Sequence, residues 1–101
     1  MVQVVWTFVV KPEAVEPFER AYGASGDWAR LFARYPGFLG TSLACDTANP
    51  LRFVTIDAWL SLADRQRMLE DAAAEYARLD AAFGDFTESE TEVGVFERIH
   101  L

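Results

Sequence analysis

The sequence has one cysteine, one histidine and one lysine. With Cys45 alone, no intrachain disulfide can form and no CxxC metal or redox motif exists. A reducing, cytoplasmic location is therefore expected. Lys11 and eight scattered arginines face sixteen acidic residues, for a net charge of −7. Nucleic acid is not expected as a partner, because phosphate backbones demand clustered cations, and anionic membrane surfaces are disfavoured for the same reason. No apolar run approaches the roughly 20 residues that span a bilayer. Met1-Val2-Gln3-Val4-Val5 has no basic segment before it and does not read as a signal peptide. His100 lies near the C-terminal end and reads as a solvent-exposed residue rather than a ligand. A Ser-His-Asp set, a Gly-rich phosphate loop and a His/Cys/carboxylate cluster are all missing, which argues against hydrolytic, nucleotide and zinc chemistry; no metal site is expected.

What is present is apolar and aromatic. Eight Phe, three Trp and three Tyr stand in 101 residues, enough chain for one domain with one core. Aromatic rings bury large areas, and they also line small-molecule pockets. Residues 2–10, VQVVWTFVV, are dense in β-branched and aromatic side chains and predict a strand. Pro12 suits the first turn of a helix, and Ala14, Val15, Phe18, Ala21 and Tyr22 follow helical spacing, with Pro17 tolerable only near the start. After Gly23-Ala24-Ser25-Gly26, with Ser25 or Asp27 as cap, Trp28, Leu31, Phe32 and Tyr35 share a helical face up to Pro36-Gly37. Residues 38–45 and 51–60 predict two strands joined by turn residues 46–50 into an antiparallel hairpin. Ser61 and Asp64 form a variant capping box before a long helix. Its apolar stripe is Leu62, Leu69, Ala72, Tyr76, Leu79 and Phe83, and Gly84 stops it. Residues 85–92 read as a solvated acidic loop or strand edge, and 93–99 as a last strand.

Strand, helix, strand, strand, helix, strand is the ferredoxin-like α+β plan, a four-stranded antiparallel sheet with its helices on one face. A monomer of that plan shows water a polar outer face. Here strands one and three are apolar in both registers: Val54, Ile56, Ala58 and Leu60 alternate with Phe53, Thr55, Asp57 and Trp59. Leaving four to six such side chains in water would forgo on the order of 10 kcal/mol, comparable to the whole stability of a small domain. A second copy packed through the sheet face, as a two-fold homodimer, is the expected remedy.

Particular residues now carry a resemblance. Trp28-Ala29-Arg30-Leu31-Phe32 is followed by Pro36-Gly37-Phe38-Leu39-Gly40; Arg52 to Trp59 runs directly into Ser61 and a helix; Glu75-Tyr76-Ala77-Arg78-Leu79-Asp80 and a Gly-x-Phe at Gly94 to Phe96 come later. In this order and spacing they resemble the antibiotic biosynthesis monooxygenase (ABM) family of dimeric α+β barrels, over nearly the whole chain. The resemblance implies a homodimer with facing sheets and a pocket between sheet and helices for an aromatic, polyketide-like molecule. It further implies oxidation by molecular oxygen with no cofactor, or haem degradation in some relatives. Haem degraders use an Asn on strand one and a His on the last helix; here Val5 stands at the first and no His at the second, so that activity is not expected. Quinone-forming relatives use an Asn four residues before the strand-three Trp, the Trp itself, a Tyr six residues after it and an Arg on the last helix. The corresponding residues are Thr55, Trp59, Arg65 and, allowing a one-residue shift, Arg78, of which only Trp59 matches in both identity and position.

Cofactor-free oxygenation needs a base, an anion stabiliser and a dry pocket. Asp57, flanked on one strand face by Thr55 and Trp59, is the expected base, unless it pairs with Arg52 or Arg65. Trp59, Asp57, Arg65 and Thr55 form the expected catalytic group. Tyr22, Trp28, Phe32, Tyr76 and Arg78 are the expected substrate-binding group. Trp28 and Phe32, with Tyr35, form an aromatic stripe of a kind more often core than binding site, and Trp59 could equally serve core or dimer packing. Enzyme and non-catalytic binding module both remain open on the sequence.

Overall fold

The computed structural model describes residues 1–100. Strand β1 (Val2–Val10) leads through a 3-10 turn at Pro12–Ala14 into α1 (Val15–Tyr22) and α2 (Asp27–Phe32). Then come β2 (Phe38–Cys45), β3 (Arg52–Trp59), α3 (Leu62–Asp71), α4 (Ala73–Phe83) and β4 (Thr87–Glu97). The sheet order is β2-β3-β1-β4 with every neighbour antiparallel, the ferredoxin-like α+β arrangement. Pro17 sits in the first turn of α1, where its missing N–H costs nothing.

Alternation along the strands sorts the side chains. Val2, Val4, Phe8 and Val10 of β1 and Phe53, Thr55 and Trp59 of β3 are buried beneath the helices. Phe18, Ala21, Tyr22, Trp28, Leu31, Phe32, Met68 and Leu79 close over them. Rings meet edge-on or tilted through the layer, as with Phe8–Phe18 at 5.3 Å, Phe32–Trp59 at 5.8 Å and Phe38–Trp59 at 5.1 Å. The opposite face carries Val5, Val9, Val54, Ile56 and Ala58, with Ser42 and Ala44 beside them on β2 and Phe96 on β4.

Four expectations are corrected. The helix over 62–83 is two helices, broken at Ala72, where φ −101° and ψ 16° leave the helical range. Met68 and Ala72, four residues apart on one face, are both 1% exposed, while Leu62, expected on the buried stripe, is 57% exposed. The last strand begins at Thr87 rather than 93, so the acidic run from there on is strand edge, paired to β1 with Glu90 opposite Phe8. Neither Ser25 nor Asp27 caps α2: its N-cap is Gly26, with no side-chain cap hydrogen bond, and Asp27 instead pairs with Arg30. The Ser61 cap is present, its Oγ accepting from the Asp64 N–H at 3.1 Å.

Candidate active site

Between the sheet and the helices lies a cavity of about 190 Å³. Strand β1 supplies Trp6 and Phe8, β2 supplies Thr41, β3 supplies Thr55 and Asp57, and β4 supplies Glu90. The helices add Tyr22, Trp28, Phe32, Tyr76 and Asp80. Strand pairing explains the grouping. Asp57 is flanked by Thr41 on β2 and Val4 on β1, and Trp6 stands opposite Thr55, so these side chains leave the sheet on its helical face. Thr55, Trp28 and Phe32 are buried at the floor, whereas Asp80 and Glu90 are exposed at the mouth.

Asp57 is the internal titrating group. Burial penalises its charged form and raises its pKa to about 6, against two opposing effects: a hydrogen bond from Thr41 Oγ1 at 2.5 Å and the field of Arg65. The expected alternative, an ion pair with Arg52 or Arg65, does not form. Arg52 pairs with Asp46, and Arg65 acts on Asp57 only through space. Burial also pushes the Tyr76 phenol up to about 12 and the Tyr22 phenol higher still. At the mouth, desolvation raises the carboxyls of Asp80 and Glu90, and Asp80 adds to the shift of Glu90 by repulsion. The Trp28 indole N–H comes close enough to the Tyr22 oxygen to lower its pKa, but not in hydrogen-bonding geometry; that buried nitrogen has no partner.

Of the nine residues expected at the site, six line the cavity: Asp57, Thr55, Tyr22, Trp28, Phe32 and Tyr76. Three do not. Trp59 is 1% exposed and sits behind the wall, packed on Phe32 and Phe38. Arg65 stands outside the lining. Arg78 is exposed on α4 and faces a separate groove with Arg34 and Glu75. Trp6, Phe8, Thr41, Asp80 and Glu90 were not foreseen. The alternation of β1 carries a signal for Trp6 and Phe8, but only the pairing of β2 with β3 brings Thr41 to Asp57.

The site is thus an aromatic cavity under a ferredoxin-like sheet, with one half-buried carboxylate in its wall. Residues 1–79 match the antibiotic biosynthesis monooxygenase family, and the chain belongs to it. No curated protein matches the sequence. Among solved structures, the chain is similar to a variant of SnoaB, a cofactor-independent oxygenase from Streptomyces nogalater, at 24% identity and a TM-score of 0.80, covering 99% of this chain and 94% of that one. A Nitrosomonas europaea protein that goes by the family name aligns at 21% identity and TM-score 0.71, over 99% and 100% of the two chains. A Deinococcus radiodurans protein of the same family name aligns at 16% and 0.79, over 100% and 95%. At such identities these likenesses establish the fold.

Proposed function

We propose that the protein is a cofactor-independent monooxygenase acting on an aromatic, polyketide-like small molecule in the cavity between sheet and helices. The observation that carries this reading is Asp57, a carboxylate without a cationic partner in an aromatic wall, with a pKa raised to about 6. Such a group is ionised at neutral pH yet basic enough to take a proton, the balance general-base catalysis favours. A substrate methylene activated by a neighbouring phenol would give its proton to Asp57. The carbanion would pass an electron to dioxygen, and the radical pair would join as a peroxide. Asp57 would return its proton to that peroxide, and loss of water would leave a carbonyl. One methylene and one dioxygen thus become one carbonyl and one water, the substrate supplying every electron. Thr41 holds the carboxylate in place, and the aromatic walls exclude water that would quench the carbanion. Trp59 would act by fixing Phe32, and Arg65 by moderating the charge of Asp57 from outside.

The test is oxygen uptake with a panel of anthrone-type phenols, with carbonyl product formed in equal amount. Asp57→Asn should lower kcat by about 100-fold or more. No uptake across the panel would sink the reading, and an unchanged kcat in the variant would remove Asp57 from it. A second reading, a binding module without catalysis, is favoured by one feature: among the described residues, no cation lines the cavity to hold a phenolate. The apolar outer sheet face supports a homodimer through that face, and the exposed thiol of Cys45 suits a cytoplasmic setting.

A further inference from the structure

The charges around the cavity are lopsided. Asp57, Asp80 and Glu90 line it, and among the described residues neither lysine, arginine nor histidine does. None of the three carboxylates takes part in a salt bridge among the described residues, although Arg20, Arg30, Arg34, Arg52 and Arg67 all do, with other partners. Asp80 and Glu90 stand together at the mouth, each destabilised by loss of water, and Asp80 further destabilises Glu90 by repulsion. Behind them are the faces and edges of six rings: Trp6, Phe8, Tyr22, Trp28, Phe32 and Tyr76. Aromatic faces present negative potential and attract cations, the more so out of water. Hydrogen bonding from Thr87 and Tyr22 offsets part of the cost at Glu90, but a neutral or anionic guest leaves the charge of both mouth carboxylates without a counter-charge. A cationic one satisfies both them and the rings.

A second, independent feature points to a ligand. Trp28 is 7% exposed, its ring forms part of the cavity wall, and its buried indole N–H makes no well-formed hydrogen bond, although the Tyr22 oxygen lies close by. Buried donors find partners as a rule, because an unmade hydrogen bond costs about 1–3 kcal/mol. An acceptor on a guest would supply one. Size narrows the guest further. An apolar cavity of about 150 Å³ holds benzene, so the space of about 190 Å³ found here encloses one ring, or little more, and the remainder of a larger molecule must reach the mouth.

We propose that the ligand of this cavity is a cationic aromatic molecule, its ring held among Trp28, Phe32 and Tyr76 and its protonated amine placed between Asp80 and Glu90. This rests on the same cavity as the proposed oxygenase and specifies its substrate class, but it is tested by binding and not by turnover.

The probes are three naphthalenes of one shape: 2-naphthylmethylamine, protonated at neutral pH, 2-naphthalenemethanol and 2-naphthoate. Binding is followed by calorimetry and by quenching of tryptophan fluorescence, since Trp6 and Trp28 both line the cavity. The amine should bind on the order of tenfold more tightly than the alcohol, and the alcohol more tightly than the carboxylate. Added salt should weaken the amine alone. In a double variant, Asp80→Asn with Glu90→Gln, the preference for amine over alcohol should vanish while alcohol affinity is kept. Both side chains are exposed, so the wild-type fold should persist, and the ligand series on the wild type stands whether or not it does. Equal or tighter binding of the alcohol or the carboxylate overturns the proposal, as does a preference that survives the double variant, or no binding of any probe at millimolar concentration. A cation preference without oxygen uptake by any amine-bearing phenol would leave this inference standing and sink the oxygenase; uptake with neutral phenols and no cation preference would do the reverse.

Discussion

Asp57 carries a cost in the fold that matches its proposed use. Its pKa lies near 6 in the folded protein, against an ordinary aspartate value of 3.8, so between these values the folded state holds the proton more tightly than the unfolded one. Stability contributed by this group is therefore complete at low pH and lost as pH rises through about 4 to 6. Above that window the ionised carboxylate costs roughly 3 kcal/mol. Asn keeps the shape and can still accept from Thr41, but it never charges. Asp57→Asn should thus stabilise the protein by about 1–3 kcal/mol at pH 7.5 while lowering kcat by about 100-fold or more, and the gain should disappear by about pH 4. Urea unfolding at the two pH values reads this directly; a variant less stable than wild type at pH 7.5 would contradict it. The Thr41 hydroxyl favours the charged carboxylate, so Thr41→Val should move the Asp57 pKa upward. The acidic limb of the kcat/KM profile should shift to higher pH by the same amount, a displacement that simple loss of packing would not produce.

At the scale of elements, the turn from α2 into β2 is a tightly constrained junction. Gly37 has φ +91°, and a Cβ there would fall 2.4 Å from Asp64 Oδ2, in the first turn of α3. The same turn closes onto β3 through the Leu60 N–H, which donates to the Gly37 carbonyl at 2.8 Å. Gly37→Ala combines a left-handed backbone with a clash against packed atoms, and should cost about 2–4 kcal/mol. The melting temperature should fall by roughly 10 °C or more; a fall of a degree or two would show that the turn yields easily. Pro36-Gly37 marked this turn in the sequence, as period-two apolar runs marked β1 and β3. The break at Ala72 was hidden, because alanine favours helix and nothing in Ala72-Ala73-Ala74 signals an interruption. The early start of β4 was hidden too: Glu88, Glu90 and Glu92 have no strand signature, and pairing with β1 overrides their propensity. The site divides in the same way. Asp57 and Thr55 could be seen from alternation along one strand, and Tyr22, Trp28, Phe32 and Tyr76 from helical spacing. Asp80 and Glu90 lie on different elements, and only the packing of α4 over β4 and β1 brings them to one mouth. Arg78 was expected there from its place in a family pattern, but the helix turns it to the other side.

The whole molecule has one face that the helices do not cover. Val5 and Ile56 are paired at its centre, with Val9, Val54 and Ala58 around them and Phe96 on the neighbouring strand, 48% exposed. On β1 and β3 the polar members of this face are Gln3 and Thr7, and the charged one, Arg52, lies at its end and is engaged by Asp46. Nothing on the strand centres would repel a second copy, and a two-fold axis through Ile56 would bring each apolar patch onto its equal. Burying it twice over recovers the several kcal/mol that a lone sheet forfeits. Sedimentation at micromolar concentration should give twice the 11.4 kDa chain mass, and this should persist in high salt because the contact is apolar. Ile56→Glu would place a charge at the centre of both patches, where desolvation outweighs anything the partner offers. The variant should sediment as a monomer and melt lower than wild type, with a melting temperature no longer dependent on protein concentration. Its cavity lies on the other side of the sheet, so ligand binding should be weakened only as far as the sheet itself loosens. A wild type of single-chain mass, or an Ile56→Glu variant that still pairs, would mean that this face meets something other than itself.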